Sequence, residues 1–206
     1  MPIRSLWQID IAEAAPAGVW QLLCPGPSLE RTVSRARFAL PAIAVSQAIR
    51  APIPCGWWAD WEAPDQHRHR PAWLHRGSAS AGPTIITSSR HSKAWHRFMA
   101  DRLYGDPLVV GQAKTDPLPD PWGDARLDTG PAWVLAIRAM VLRGRAKLIH
   151  AYGLDLAGEG YAYQADDPKH RTPEEWEGRW VGERTLLTRM VKLLDSLGVE
   201  LVIEKP

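Results

Sequence analysis

Val19-Trp20-Gln21-Leu22-Leu23-Cys24 runs directly into Pro25-Gly26-Pro27-Ser28-Leu29. A short apolar run that stops at a Pro-Gly turn reads as a strand buried on both faces of a parallel sheet. Ser28 stands where the N-cap of a following helix belongs, which predicts a short amphipathic helix over 29–38. The same strand, turn and helix pattern recurs outward from this unit. Further strands are expected at 41–45, ending in Ser46-Gln47, at 56–59, ending in Asp60, and at 84–87, ending in Ser88-Ser89. A helix is expected over 92–103, and a weaker strand over 108–110.

Residues 111–128 are rich in Pro and Asp and show little periodicity, so they read as an irregular connection. Thr129-Gly130-Pro131 then opens a helix with Thr as N-cap, Pro in the first turn and Trp133, Ile137, Met140 and Val141 on one apolar face, ended by Gly144. A strand over 147–152 leaves through Gly153-Leu154-Asp155. Pro173 starts the last helix, Gly198 stops it, and a final strand covers 199–203. Strands alternating with helices at this spacing imply an α/β fold. The expectation is a single Rossmann-like domain over 1–206, with a mostly parallel sheet and helices on both faces.

Composition agrees with that class. Hydrophobic residues at 45% and charged residues at 23% of 206 positions exclude a disordered chain. No apolar window reaches the length of a membrane span, and Asp10 and Glu13 interrupt the start where a signal peptide would be apolar, so a cytoplasmic location is expected. Cys24 and Cys55 are too few for a disulfide framework or a four-ligand zinc site and read as small buried thiols near strand ends.

Charge is uneven along the chain. Between His67 and Arg102 stand Arg68, Arg70, Arg76, Arg90, Lys93, Arg97 and Arg102 against Asp101 alone. His67, His69, His75, His91 and His96 share the stretch, with Trp73, Trp95 and Phe98 interleaved. A basic, aromatic-laced segment over 67–102 suits a polyanion, nucleic acid included, or else a solvated Arg-rich surface.

In an open parallel sheet, ligands bind beyond the carboxyl ends of the strands. That rule collects Gly26, Pro27, Ser28, Ser46, Gln47, Asp60, Ser88, Ser89, Thr129, Gly130 and Asp155, mostly small or polar residues that suit a nucleotide or nucleotide-sugar cleft. Gly26-Pro27-Ser28 is neither a Walker loop nor a GxGxxG fingerprint. It still sets a Gly and a Ser beneath a helix start, where backbone amides favour an anion. No metal site is expected. There is no Asp-x-Asp motif, Asp166-Asp167 is adjacent rather than alternating, and His67, His69 and His75 find no Cys or Glu at ligand spacing.

The ordered set Gly26-Pro27-Ser28-Leu29, then Val45-Ser46-Gln47-Ala48, then Trp58-Ala59-Asp60, then Thr129-Gly130 and then Gly153-Leu154-Asp155 resembles a known group. That group includes the bacterial CMP-sialic-acid sialyltransferases, the archaeal 6-hydroxymethylpterin diphosphokinase-related family and small phage-encoded proteins. The resemblance spans about 19–203. It implies that Gly26, Pro27 and Ser28 contact phosphate or ribose, that Ser46 and Gln47 follow the second strand where the group has Asn, that Thr129 and Gly130 line the base or ribose, and that Asp155 closes the pocket. Two departures stand out: Ser replaces that Asn at 46, and Cys24-Pro25 replaces the first Gly of the group's motif.

The sialyltransferases of this group carry a histidine base late in the chain. Glu183 takes that place here, with His170 upstream as the other candidate. Glycosyl transfer needs a base for the acceptor hydroxyl and a cation for the departing phosphate, so Arg184 or Arg179 would supply the charge. The resemblance thus implies a metal-independent glycosyltransferase with a nucleotide-sugar donor, no resident cofactor, and DNA or a glycan as acceptor. The alternatives are a Mg²⁺-dependent diphosphotransferase using Asp60 and Asp155, and a non-catalytic binding protein. Tryptophans in or beside loops (Trp73, Trp95, Trp122, Trp176 and Trp180) either pack in the core or an interface or, near a cleft, stack on a sugar or base, and core packing is the better reading for Trp133.

Overall fold

A computed structural model describes residues 4–5, 9–61, 84–100, 109–112, 131–158 and 172–206. Eight strands form one sheet: β1 (Arg4–Ser5), β2 (Val19–Leu23), β3 (Ala42–Val45), β4 (Trp57–Ala59), β5 (Thr84–Ser88), β6 (Val109–Gln112), β7 (Leu148–Tyr152) and β8 (Glu200–Glu204). Their order is β1-β6-β5-β4-β3-β2-β7-β8, and every pairing is parallel. From β2 the chain steps outward through β3, β4 and β5 to β6, then returns to the other side of β2 for β7 and β8. The strand order therefore reverses between β2 and β7, and an α/β sheet opens its ligand crevice at such a point.

Both faces of the sheet are apolar, as its parallel strands require. Trp20 and Leu22 of β2, Ile43 and Val45 of β3, and Ala59 of β4 point into one core, which α3 (Ala132–Leu142) and α4 (Pro173–Ser196) cover. Leu23, Ala42, Ala44 and Trp58 point into the other, beneath α1 (Leu29–Thr32) and α2 (Ser89–Ala100). Among the described residues, no helix is long and apolar enough to cross a membrane.

The sequence places the central strands within a residue or two, and β1 is an addition. Three other differences stand out, and the first has a clear cause. The helix expected over 29–38 is one α-turn followed by a 3-10 turn, Val33–Arg35, and Ala36 is already extended. Gln21 of β2 stops it: its Nε2 donates to the carbonyls of Arg37 (2.9 Å) and Leu40 (3.1 Å), and its Oε1 accepts from the Arg37 N–H (2.7 Å). One buried amide thus takes backbone groups that a longer helix would have used. The N-cap of α3 is Pro131, which makes no side-chain cap, and Thr129 lies outside the described residues. Residues 132–140 of that helix are all buried, Arg138 among them, so burial takes in its whole circumference and not only the one apolar face expected.

Helix α4 follows its sequence cues. Thr172 and Glu175 form a reciprocal capping box ahead of Pro173, the Thr172 Oγ1 accepting from the Glu175 N–H and the Glu175 carboxylate from the Thr172 N–H.

Candidate functional site

The turns that leave β2 and β7 are locked together. Cys24 N–H donates to the Tyr152 carbonyl (2.8 Å) and Gly26 N–H to the Gly153 carbonyl (2.9 Å). Both glycines are required by this approach. A Cβ on Gly26 would lie 2.1 Å from the Gly153 oxygen, and one on Gly153, whose φ is +69°, would lie 2.3 Å from the Cys24 oxygen. Asp155 completes the junction: one carboxylate oxygen accepts from the Ser28 N–H at 2.7 Å and the other from the Ser28 hydroxyl.

That geometry revises the expected role of the Gly26-Pro27-Ser28 turn. Ser28 does not cap α1 with its side chain, because its hydroxyl is spent on Asp155. The N–H groups of Gly26, Ser28 and Leu29 are all bonded within the protein, and Pro27 has none. A carboxylate of the chain itself therefore occupies the place where an anion was expected. Helix α1, at four residues, adds little dipole of its own.

Beside this junction lies a buried acid. On α4, Trp176, Trp180 and Glu183 fall on one face, turned to the sheet and buried. The Trp133 indole N–H on α3 donates to Glu183 Oε2 at 2.9 Å, and Arg179 Nε meets Oε1 at 2.7 Å. Arg179 also lies over the Trp180 ring, 5.7 Å from its centre, and the Trp176 and Trp180 rings stack at 5.3 Å. Oε2 thus accepts a hydrogen bond and Oε1 is held by the ion pair with Arg179, so the carboxylate is fixed in position. The Cys24 thiol at the end of β2 senses it. Burial pushes that thiol well above its usual range, and the nearby charges of Glu183 and Asp155 push it further. Burial likewise raises Cys55 to about 12. Neither cysteine is a thiolate at neutral pH, which removes both as nucleophiles.

The remaining candidates separate clearly. Arg184 braces the turn after β7: it donates to the Leu156 carbonyl at 3.0 Å and to Glu177. Trp180 holds the same turn through its N–H to the Gly158 carbonyl at 2.7 Å. At the end of β3, Ser46 adopts φ +45°, a left-handed conformation that costs a non-glycine residue energy, and its carbonyl accepts from the Trp58 indole at 2.9 Å. Gln47 and Asp60 are buried polar residues at the ends of β3 and β4, and Asp60 donates its N–H to the Ile86 carbonyl.

His170, Thr129, Gly130, Trp73, Trp122, Asp166, Asp167 and the histidines at 67, 69 and 75 lie outside the described residues. Trp95, Trp176 and Trp180 are buried in helices rather than free in loops, so they do not offer faces to a ligand. Among the described residues, no three His, Cys, Asp or Glu side chains come together as a metal site.

The Trp133–Glu183 bond links residues 50 positions apart and could not be read from local pattern. A signal for it was present. Glu183 is the one acid in phase with the apolar stripe Trp176, Trp180, Leu187, Met190 and Leu194 of the last helix, and a charge on a core-facing stripe calls for a partner. Comparison of the chain with protein-family models, with curated proteins and with solved structures gives no match.

Proposed function

We propose that this protein is a glycosyltransferase that draws on a nucleotide-activated sugar at the carboxyl ends of β2, β3 and β7. The observation that carries the reading is the buried Glu183 carboxylate, held by Trp133 and Arg179 beside the carboxyl end of β2 at the reversal of strand order. Ligands of open parallel sheets sit at that place, and a carboxylate held in one position by named partners is a group that can serve as a general base. In this reading Glu183 takes the proton of the acceptor hydroxyl as the new C–O bond forms at the sugar. The bond from the sugar to phosphate breaks at the same centre. Arg179, which is partly exposed, takes up the charge of the departing phosphate. Arg179 is preferred to Arg184 in that role because it stands directly beside Glu183, whereas Arg184 is bonded to the turn after β7. Ser46, at the end of β3, stands on the side assigned to the nucleotide with Gln47 and Asp60 buried beneath the surface there, and the Ser28–Asp155 junction forms the rigid wall. The acceptor is DNA or a glycan.

The diphosphotransferase alternative is less well supported. Both oxygens of Asp155 are taken by Ser28. Asp60 follows β4, two to three strand spacings or about 10–14 Å away, too far for one Mg²⁺ to join the two carboxylates. The satisfied amides of the Gly26–Leu29 turn favour a different second reading, a non-catalytic binding protein that retains the fold.

Release of free nucleotide from UDP-, GDP- and CMP-sugars decides between them. Under the transferase reading one donor is turned over, and Glu183→Gln lowers the rate about 10²- to 10⁴-fold with donor affinity nearly unchanged. Silence with every donor overturns transfer in favour of the binding protein. Full turnover by the variant removes Glu183 from the chemistry.

A further inference from the structure

The layer formed by α1, the 3-10 turns and α2 has a charge pattern that the crevice does not explain. Leu29, Val33 and Ala36 share one buried cluster with Trp95, so the segment around α1 and helix α2 cover the same face of the sheet. Among the described side chains of that layer, Arg31, Arg35, Arg37, Lys93 and Arg97 are exposed, and the exposed acid is Glu30. Arg31, Arg37, Lys93 and Arg97 make no ion pair among the described residues. At the rim, Glu204 is bonded to His150 (2.9 Å). On the opposite layer α4 mixes its charges: Glu174, Glu175, Glu177 and Asp195 stand among Arg179, Arg184, Arg189 and Lys192. Phe38 sits beside Arg37 with 72% of its surface open, the largest exposure of any big apolar residue described.

We propose that this face binds single-stranded nucleic acid, with Arg31, Arg37, Lys93 and Arg97 on the phosphates and Phe38 as a stacking platform for a base. Four of the five exposed cations are arginines, whose planar fork matches phosphate oxygens. The segment around α1 packs by β2, to which Gln21 bonds it, and α2 packs on β5 and β6, three to four strand spacings or about 14–19 Å away, so a strand crossing the face meets several phosphates. An exposed aromatic within a basic surface is how unpaired bases are held without sequence preference. A lipid surface fits less well. Trp95 packs edge-on against both Trp58 and Phe98, so the aromatic side of α2 is turned inward and no apolar helix face remains to insert. Arg31 lies three residues beyond Ser28, so the face reaches the crevice, but its binding does not depend on the donor reading.

The test is fluorescence anisotropy of a labelled twelve-residue oligothymidylate with the full chain, without any nucleotide sugar, across a KCl series. Four phosphate contacts predict a slope of log K against log salt of about −2.8. The Arg31→Gln/Arg37→Gln and Lys93→Gln/Arg97→Gln pairs should each lower that magnitude to about 1.4. Phe38→Ala should weaken binding roughly 5- to 100-fold while leaving the slope unchanged. The proposal is overturned if the oligonucleotide is not bound, if both paired variants keep the full slope, if Phe38→Ala has no effect, or if phosphatidylserine vesicles bind where the oligonucleotide does not. These surface substitutions leave the core intact, and circular dichroism checks it.

Discussion

Alanine at position 26 and alanine at position 178 are the same chemical change with opposite expected signs. At Gly26 the new Cβ would stand 2.1 Å from the Gly153 carbonyl oxygen, where real contacts stay above 3.0 Å. The obstacle is backbone, so the β2 and β7 turns must part by about 1 Å. That separation takes the Gly26–Gly153 hydrogen bond from 2.9 Å to beyond useful length and strains the charge-assisted bond from Ser28 N–H to Asp155. Losing a buried backbone bond costs about 1–3 kcal/mol and a bond to a charged group about 1.5–3 kcal/mol, which together set the penalty at about 2.5–6 kcal/mol. At Gly178 on α4 no atom lies within 4 Å of the added methyl, so Gly178→Ala should gain up to about 1 kcal/mol from helix propensity. Urea unfolding followed by tryptophan fluorescence reads both, as a lower midpoint for Gly26→Ala and a higher one for Gly178→Ala at unchanged slope. If Gly26→Ala lies within 1 kcal/mol of the parent, the two turns are not in contact and the geometry of the site is wrong.

Other perturbations follow from the same contacts. Gln21→Ala removes the side chain that terminates the 29–35 turns, so amide exchange at Arg37 and Leu40 should rise and stability fall by about 2–4 kcal/mol. Protection equal to that of the parent would refute that role. Thr172→Ala breaks the capping box and should cost about 1 kcal/mol, while Thr172→Ser should restore most of it in the same urea titration. The pH dependence has a definite sign. Burial raises Cys24, Cys55 and Tyr152, with Glu204 adding to the rise at Tyr152 and Arg37 opposing it. The folded state then holds protons that the unfolded chain releases, so stability is full below the unfolded values and falls as pH rises. For Cys55, raised from 9.0 to about 12, the loss is about 1.4 kcal/mol per pH unit across that window. Unfolding midpoints that do not fall between pH 8 and 10 would contradict the burial of these groups.

The fold was legible where chemistry is local. Each strand of the main series ends at a Pro, Gly or polar step, and the 173–196 helix carries its cap, its Pro and its Gly stop in plain sequence. What escaped was set by partners far along the chain. Asp155 meets Ser28 across 127 positions, which turned an expected anion site into a satisfied junction. Gln21 cut short a helix whose own residues gave no sign of an early end. The buried tryptophans of α2 and α4 looked like loop residues because their flanks are polar, while burial is decided by the opposite face of the helix. The candidate residues at the ends of β2, β3, β4 and β7 were all named from the strand-end rule. Glu183 and Arg179 were named from the sequence, but the bond that Trp133 makes to Glu183 became visible only in three dimensions.

A thermal-shift panel with CMP, UDP, GDP, ATP and their common sugar conjugates, with and without EDTA, tests the crevice most directly. A nucleotide that belongs there, at about 100 times its dissociation constant, should add about 2.7 kcal/mol of stability. The account predicts such a gain for one nucleotide and its sugar conjugate, unchanged by EDTA and greatly reduced in Gly26→Ala. No shift with any of them would contradict a nucleotide site at the carboxyl ends of β2, β3 and β7.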